Sequence, residues 1–240
     1  MKHRSAALLT LLAAIALAGC ESTEQESAKI AKRLGHQEAS AAVTQIKGAD
    51  SSVRVVLAQI VSSASGDAAV LELRNNSSHA QADIPILITV LDAAGKAVYS
   101  NSTVGESSPS GELSLLEAHA TVWWVDPSVL ASGGTPVRVV AKIGAPTASA
   151  PPLSLAASKL ASGSNFVGPY IGGTATNSSS TAATDATVYA VALAGSRVVA
   201  AGQSLIPTLA AHGSASFQVN VVGTTKGAKP VATLAPAHIG

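Results

Sequence analysis

Ile84-Pro85-Ile86-Leu87-Ile88-Thr89-Val90-Leu91 is followed by Asp92-Ala93-Ala94-Gly95 and then by Lys96-Ala97-Val98-Tyr99-Ser100. The first run is short, apolar and rich in β-branched residues, which suit a pleated surface. The break is polar and ends in a glycine, the residue that adopts positive φ without penalty. A second β-rich run follows at once. This order predicts a β-hairpin with its turn at Asp92–Gly95.

Reading outward, the same alternation of short β-rich runs with Gly, Asn, Asp and Ser clusters recurs on both sides. Strands are expected at Val53–Ile60, Ala68–Arg74, Ile84–Leu91, Lys96–Thr103, Ala120–Val125 and Val137–Ile143. Ala145-Pro146-Thr147-Ala148-Ser149-Ala150-Pro151-Pro152 then interrupts the pattern, and its prolines predict a semi-stiff extended linker. After it, strands are expected at Leu153–Ser158, Tyr170–Thr176, Ala186–Leu193, Arg197–Ser204, Ser214–Val222 and Pro230–Leu234. Many short strands with regular turn signals indicate an all-β fold.

The two halves overlay with an offset near 100. Asn76-Ser77-Ser78 falls on Asn177-Ser178-Ser179, Gly95 on Gly195, and Leu116-Glu117-Ala118-His119 on Leu209-Ala210-Ala211-His212. An aromatic stands five residues past each histidine, Trp124 and Phe217. A duplicated module is expected. The overlay also sorts the pair Trp123-Trp124. Neighbours on a strand point to opposite faces. Trp124 takes the place of Phe217 and is expected in the core. Trp123 takes the place of Ser216 and is expected on the outer face, where a tryptophan marks a binding surface. The competing expectation is that the linker or the second half covers it.

Charged residues make up 12% of the chain and the formal net charge is +1, so a nucleic-acid partner is not expected. Aromatics are only 3% of a chain that is 47% hydrophobic, which argues against a ring-lined ligand cavity. A serine nucleophile finds no Gly-x-Ser-x-Gly elbow. His119 and His212 sit at equivalent turns, but Asp92 falls on Ala192, so no acid repeats with them. The histidines show no ligand spacing, Gly172-Gly173 lacks the Lys-Ser/Thr of a phosphate loop, and no cofactor or metal is expected. Asn75, Asn76, Asn101 and Asn177 stand in N-x-S/T sequences, read here as turn chemistry.

The chain begins with Met1-Lys2-His3-Arg4, then an apolar run from Ala6 to Ala16, then Leu17-Ala18-Gly19-Cys20. A basic stretch, a short apolar run and small residues before a cut define a secretory signal. The run is shorter than the roughly 20 residues that span a bilayer. Leu17-Ala18-Gly19-Cys20 resembles the lipobox of bacterial lipoproteins. That resemblance implies cleavage between Gly19 and Cys20, lipid on the Cys20 thiol, and residence outside the cytoplasm on a cell or outer membrane. Cys20 is the chain's single cysteine, so it has no disulfide partner within the chain. Two or three acyl chains anchor stably where one is marginal.

Each half runs strand, Asn-Ser turn, strand, Gly hairpin, strand, Leu-x-x-His turn and aromatic-bearing strand. This order resembles the immunoglobulin-like modules of bacterial envelope proteins, in particular FxLYD-type domains. Leu209-Ala210-Ala211-His212-Gly213 stands where that family has a turn before a Phe-bearing strand, here that of Phe217. The resemblance spans Ser52–Gly144 and Leu153–Gly223. It implies two tandem immunoglobulin-like β-sandwiches, at 52–144 and 153–240, joined by the linker 145–152. Residues 20–51 are expected to be a flexible tether behind the signal peptide 1–19.

The resulting expectation is a membrane-anchored, non-enzymatic binding or scaffolding module whose partner is an envelope protein or a cell-wall polymer. The alternatives are a periplasmic enzyme or enzyme accessory with a loop-borne site drawing on Asp67, Asp83, His79 or His119, and a small-ligand carrier.

Overall fold

The computed structural model describes residues 52–102, 111–146, 153–236 and the backbone of 238–239. The signal segment, Gly19, Cys20, the tether and most of the Pro-rich linker lie outside the described residues. Among those that are described there is no helix. The first half contains β1 (Val53–Ser63), β2 (Gly66–Asn75), β3 (Gln81–Leu91), β4 (Ala97–Ser100), β5 (Glu112–Leu116), β6 (Thr121–Asp126) and β7 (Arg138–Ile143). The second contains β8 (Leu155–Ser164), β9 (Pro169–Asn177), β10 (Ala183–Ala194), β11 (Arg197–Leu209), β12 (Ser214–Asn220), β13 (Val222–Gly223), β14 (Lys229–Ala235) and β15 (His238–Ile239).

The sheets are antiparallel and repeat one order. In the first half β1-β2-β6 form one sheet, and β3 is flanked by β4, β5 and β7 in the other. In the second half β8-β9-β12 form one sheet and β13-β11-β10-β14 the other, with β15 added to β10. Strand for strand, β1-β2-β6 corresponds to β8-β9-β12, and β4-β3-β7 to β11-β10-β14.

The single strand β11 does the work of β4 and β5 together. Where β4 stops, the Asn101 amide continues the ladder: its Oδ1 accepts from Ile88 N at 2.9 Å and its Nδ2 donates to Ile86 O at 2.9 Å. A side-chain amide thus substitutes for a peptide group on β3, whose backbone groups would otherwise lack a partner there. β5 was not among the expected strands, because Glu112-Leu113-Ser114-Leu115-Leu116 is short and holds no β-branched or aromatic residue.

Alternation along β10 shows how the halves are joined. Val188, Ala190 and Ala192 share a core with Ile171, Phe217 and Val219 of their own half. Tyr189 and Val191 point the other way and share a core with Val61, Trp123 and Val198. Both sets are buried. On the facing side, Ala68-Ala69-Val70-Leu71 of β2 are all fully buried. Strands buried on both faces read as continuous apolar runs rather than alternating ones. The sheet β1-β2-β6 is therefore an inner layer, with its own partner sheet on one side and β10, β11 and β14 on the other. The Gln59 amide ties the layers: Nε2 donates to Val198 O at 2.6 Å, and Oε1 accepts from Val198 N at 3.3 Å.

Candidate functional site

The motifs that repeat in sequence form one structural device, built twice. Asn75 is fully buried at the end of β2. Its Nδ2 donates to His79 O at 2.8 Å, Leu116 O at 3.2 Å and Glu117 O at 3.1 Å, while Oδ1 accepts from Ser77 N at 2.9 Å. Asn177 is equally buried and repeats this contact for contact, to Thr181 O at 2.8 Å, Leu209 O and Ala210 O at 3.2 Å each, and from Ser179 N at 3.0 Å. The amide pins one turn to another distant in sequence. The geometry corrects the overlay by one residue: Asn75, not Asn76, is the equivalent of Asn177. An Asn-Asn doublet left that register open.

His119 and His212 take positive φ, 56° and 52°, in the pinned turns, and both rings are exposed. Each backbone N–H donates to the turn serine, His119 to Ser77 O at 3.3 Å and His212 to Ser179 O at 3.0 Å. Their placement is that of turn residues. Asp83 and Asp185 form a second matched pair, at φ 50° and 49°, where β3 and β10 each skip a residue in their pairing.

The side chain of Trp123 does not lie on an open face. It is 7% exposed and belongs to the cluster containing Tyr189, Val191 and Ala235 of the second half. Its backbone N and O both meet the Thr233 hydroxyl, at 3.0 and 3.3 Å. The outer-face reading is corrected on this point: Trp123 does point away from the core of its own half, but the second half covers it. Trp124 is fully buried, as expected, and its indole N–H has no acceptor within reach. Tyr189, in the same covered layer, has its phenol pKa pushed up by burial, with a hydrogen bond from the Thr187 side chain pulling it slightly down.

The titratable groups named from sequence do not converge. His79 is exposed, and its ring Nδ1 meets Ser78 Oγ at 3.2 Å. Asp83 stands beside Glu112, whose carboxyl is pushed above its ordinary value by partial burial and then by the neighbouring Asp83 charge. That pair lies on the sheet surface, with Glu112 exposed. The buried Asp126 accepts a 2.6 Å bond from the Tyr99 hydroxyl and another from Ser128 N at 3.1 Å. Among the described residues no group of three His, Cys, Asp or Glu side chains is placed to hold a metal.

Among the described residues, the surface left open is in the second half. The outer face of β8-β9-β12 carries Ser158, Ala161 and Gly163 from β8, Tyr170, Gly172 and Thr174 from β9, and Ser216, Gln218 and Asn220 from β12. Lys159, in the bulge of β8, is the only charged residue on these three strands. Tyr170 lies across this face. A Cβ at Gly163 would overlap its Cζ and hydroxyl, and one at Gly172 would be 3.7 Å from Cε2. The glycines let the ring lie down against the sheet.

Beyond Tyr170 the β8–β9 turn is held by the Asn165 side chain, which accepts from Val167 N at 2.9 Å and Gly168 N at 3.1 Å. Phe166 at its tip is 100% exposed. A shallow cleft of about 610 Å³ lies beside the turn, lined by residues including Ser162, Ser164, Thr224, Thr225 and Lys226. Sequence reasoning singled out none of these residues. The available signal was the run Leu160–Thr184, which contains no charged residue.

Compared with known proteins, the chain matches no family model and no curated sequence.

Proposed function

We propose that this chain is an extracytoplasmic lipoprotein, anchored through lipid on Cys20, whose folded part is a non-enzymatic binding or scaffolding element of the bacterial envelope. The observation that carries the reading is a lone cysteine placed directly behind a basic and apolar leader. The fold supports it by position. The chain enters the strands at Ser52, beside the Asn75 turn, through the bond from Asn76 N to Ser52 O at 2.7 Å. The β1–β2 hairpin turns at the other end of β1, roughly 35 Å away at the ordinary strand rise. By its register the β8–β9 hairpin turns at the end remote from Asn177. A tether attached at Ser52 would leave those turns facing away from the bilayer.

The two halves are read as tandem immunoglobulin-like modules of FxLYD type. The support is their common strand order, in which consecutive strands divide between two facing sheets in the manner of that fold. The dispersal of titratable groups favours binding over bond making.

The test is metabolic labelling with a palmitate analogue. Label on the native chain, absent from Cys20→Ser, is expected, together with loss of membrane association in the variant. An unlabelled mature chain, or one still carrying its leader, overturns the anchor.

A further inference from the structure

We infer that the outer face of β8-β9-β12 is a platform for an uncharged glycan, with a sugar ring stacked on Tyr170. The inference deepens the envelope-binding reading above and rests on it, since such polymers lie outside the cytoplasm.

Three features of the face point to that ligand. The ring is laid flat by design of its neighbours: Gly163, across the β8–β9 pair, has no side chain to lift it, and Gly172 clears its other edge. A flat, partly exposed phenol ring offers a π-face to the apolar C–H face of a sugar. The groups around it are amides and hydroxyls. Asn220 is the cross-strand partner of Tyr170, Gln218 that of Gly172, and Ser216 that of Thr174. Amides and hydroxyls both donate and accept, which matches a ligand made of hydroxyl groups.

The third feature is the lack of charge. An open sheet face is ordinarily kept soluble by Lys and Glu, and such charges also guard its edges. Here the three strands carry hydroxyls and amides instead, with Lys159 in the β8 bulge and Lys226 in the cleft beside Gly163 as the charges nearby. A partner selected by an array of ion pairs finds only these two lysines to pair with, at the margin and not across the face. A neutral, hydroxyl-rich chain finds its complement across the face. The strands supply the length as well: Thr174 and Ser216 continue the polar row beyond the ring, so a polymer has more than one contact.

The test uses the full chain in detergent on an array of neutral, acidic and amino-bearing glycans. Retention on a neutral glycan is expected, and it should persist from low to high salt because no charge is screened. Tyr170→Ala should weaken retention roughly tenfold or more, as loss of an aromatic anchor does. Tyr170→Phe should preserve it. Gly163→Ala keeps every polar group and lifts the ring, so it should weaken retention at an unchanged melting temperature. Retention on no neutral glycan, retention lost with salt, or retention indifferent to Tyr170→Ala would each overturn the platform. Retention abolished by Phe166→Ser but not by Tyr170→Ala would move the contact to the hairpin tip and overturn it too. Each of these failures can occur with Cys20 labelling intact, so the anchor and the platform stand or fall separately.

Discussion

The outer faces of β1-β2-β6 and β8-β9-β12 are equivalent surfaces of a repeated unit, yet one is buried by the rest of the molecule and the other is open. Register pairs them residue by residue: Leu57 with Ser158, Gln59 with Ala161, Val61 with Gly163, Val70 with Gly172, Trp123 with Ser216, and Val125 with Gln218. Gln59 apart, whose amide bonds Val198, the covered members are apolar, and the open members are small or neutral-polar. Backbone order and the pinned Asn turns are common to both halves. Side chains on one face alone decide which sheet accepts a neighbour and which ends the stack, as a terminal repeat needs a polar outer face.

Exchanging one residue between the faces should break the comparison most visibly. Trp123→Ser imports the open-face residue into the covered layer. It removes the ring packed in the cluster with Tyr189 and Val191, and a loss of about 3–5 kcal/mol is expected from the cavity and the lost burial. The reverse change, Ser216→Trp, adds a ring to an exposed position and should shift stability by no more than about 0.5 kcal/mol. Thermal or urea unfolding of the two variants checks this. Comparable losses in both would mean that the β8-β9-β12 face is covered as well.

The feature the halves share should respond alike in each. Asn75→Ala and Asn177→Ala each remove an amide that donates to three backbone carbonyls, although His79 O keeps the Ser77 hydroxyl and Glu117 O and Ala210 O keep the Ala120 and Gly213 amides. A cost of roughly 1–3 kcal/mol apiece is expected from the loss of a buried amide and its bonds across the turn. Asn→Asp should not rescue either, because a carboxylate cannot donate to those carbonyls. A large loss in one half and none in the other would show that only one turn depends on its amide.

Much of this was legible in the sequence, and the parts that were not have separate physical causes. The Asp92–Gly95 hairpin and the strands around it follow from local composition and turn chemistry; β1 to β4, β6, β7, β9, β10, β12 and β14 lie close to the expected positions, while β8 and β11 run past theirs. The burial of Trp124 followed from repeat position, with Phe217 its counterpart. Trp123 was misplaced because its cover comes from β10 and β14, far along the chain, and repeat position speaks only of its own half. A clue was nevertheless present. Val122-Trp123-Trp124-Val125 does not alternate, nor does Ala68-Ala69-Val70-Leu71, and a run without alternation marks a strand with two buried faces. Tyr170 escaped notice for the opposite reason: a single tyrosine among glycines looks like a weak strand until cross-strand register sets its ring over Gly163.

A smaller effect tests how far the two cores are interchangeable. Trp124 and Phe217 hold the same place, and Phe217 rests against Gly173 where Trp124 rests against the cross-strand Leu71. Trp124→Phe loses ring volume but also removes a buried N–H that has no acceptor. The two terms oppose, and a net change within about 1 kcal/mol is expected, against the 1–3 kcal/mol that an unpaired buried donor costs. A loss several times larger in unfolding experiments would mean that the indole N–H is satisfied, by an ordered water for example.

The least effect concerns charge. Glu112 in the first half and Leu205 in the second hold equivalent places, paired with Pro85 and Thr187. Partial burial and the neighbouring Asp83 raise the Glu112 pKa, so folding favours its protonated form. The contribution is therefore most favourable below the unfolded carboxyl value of about 4.3 and is lost as pH rises through the folded value. At neutral pH the folded state bears the repulsion, and Glu112→Gln should stabilise the chain, by less than about 0.5 kcal/mol because the side chain is exposed and its charge is screened. The gap between variant and parent should close on acidification and shrink with added salt. A gap that widens in acid would have the wrong sign for two like charges and would mean that a cation, rather than Asp83, governs Glu112.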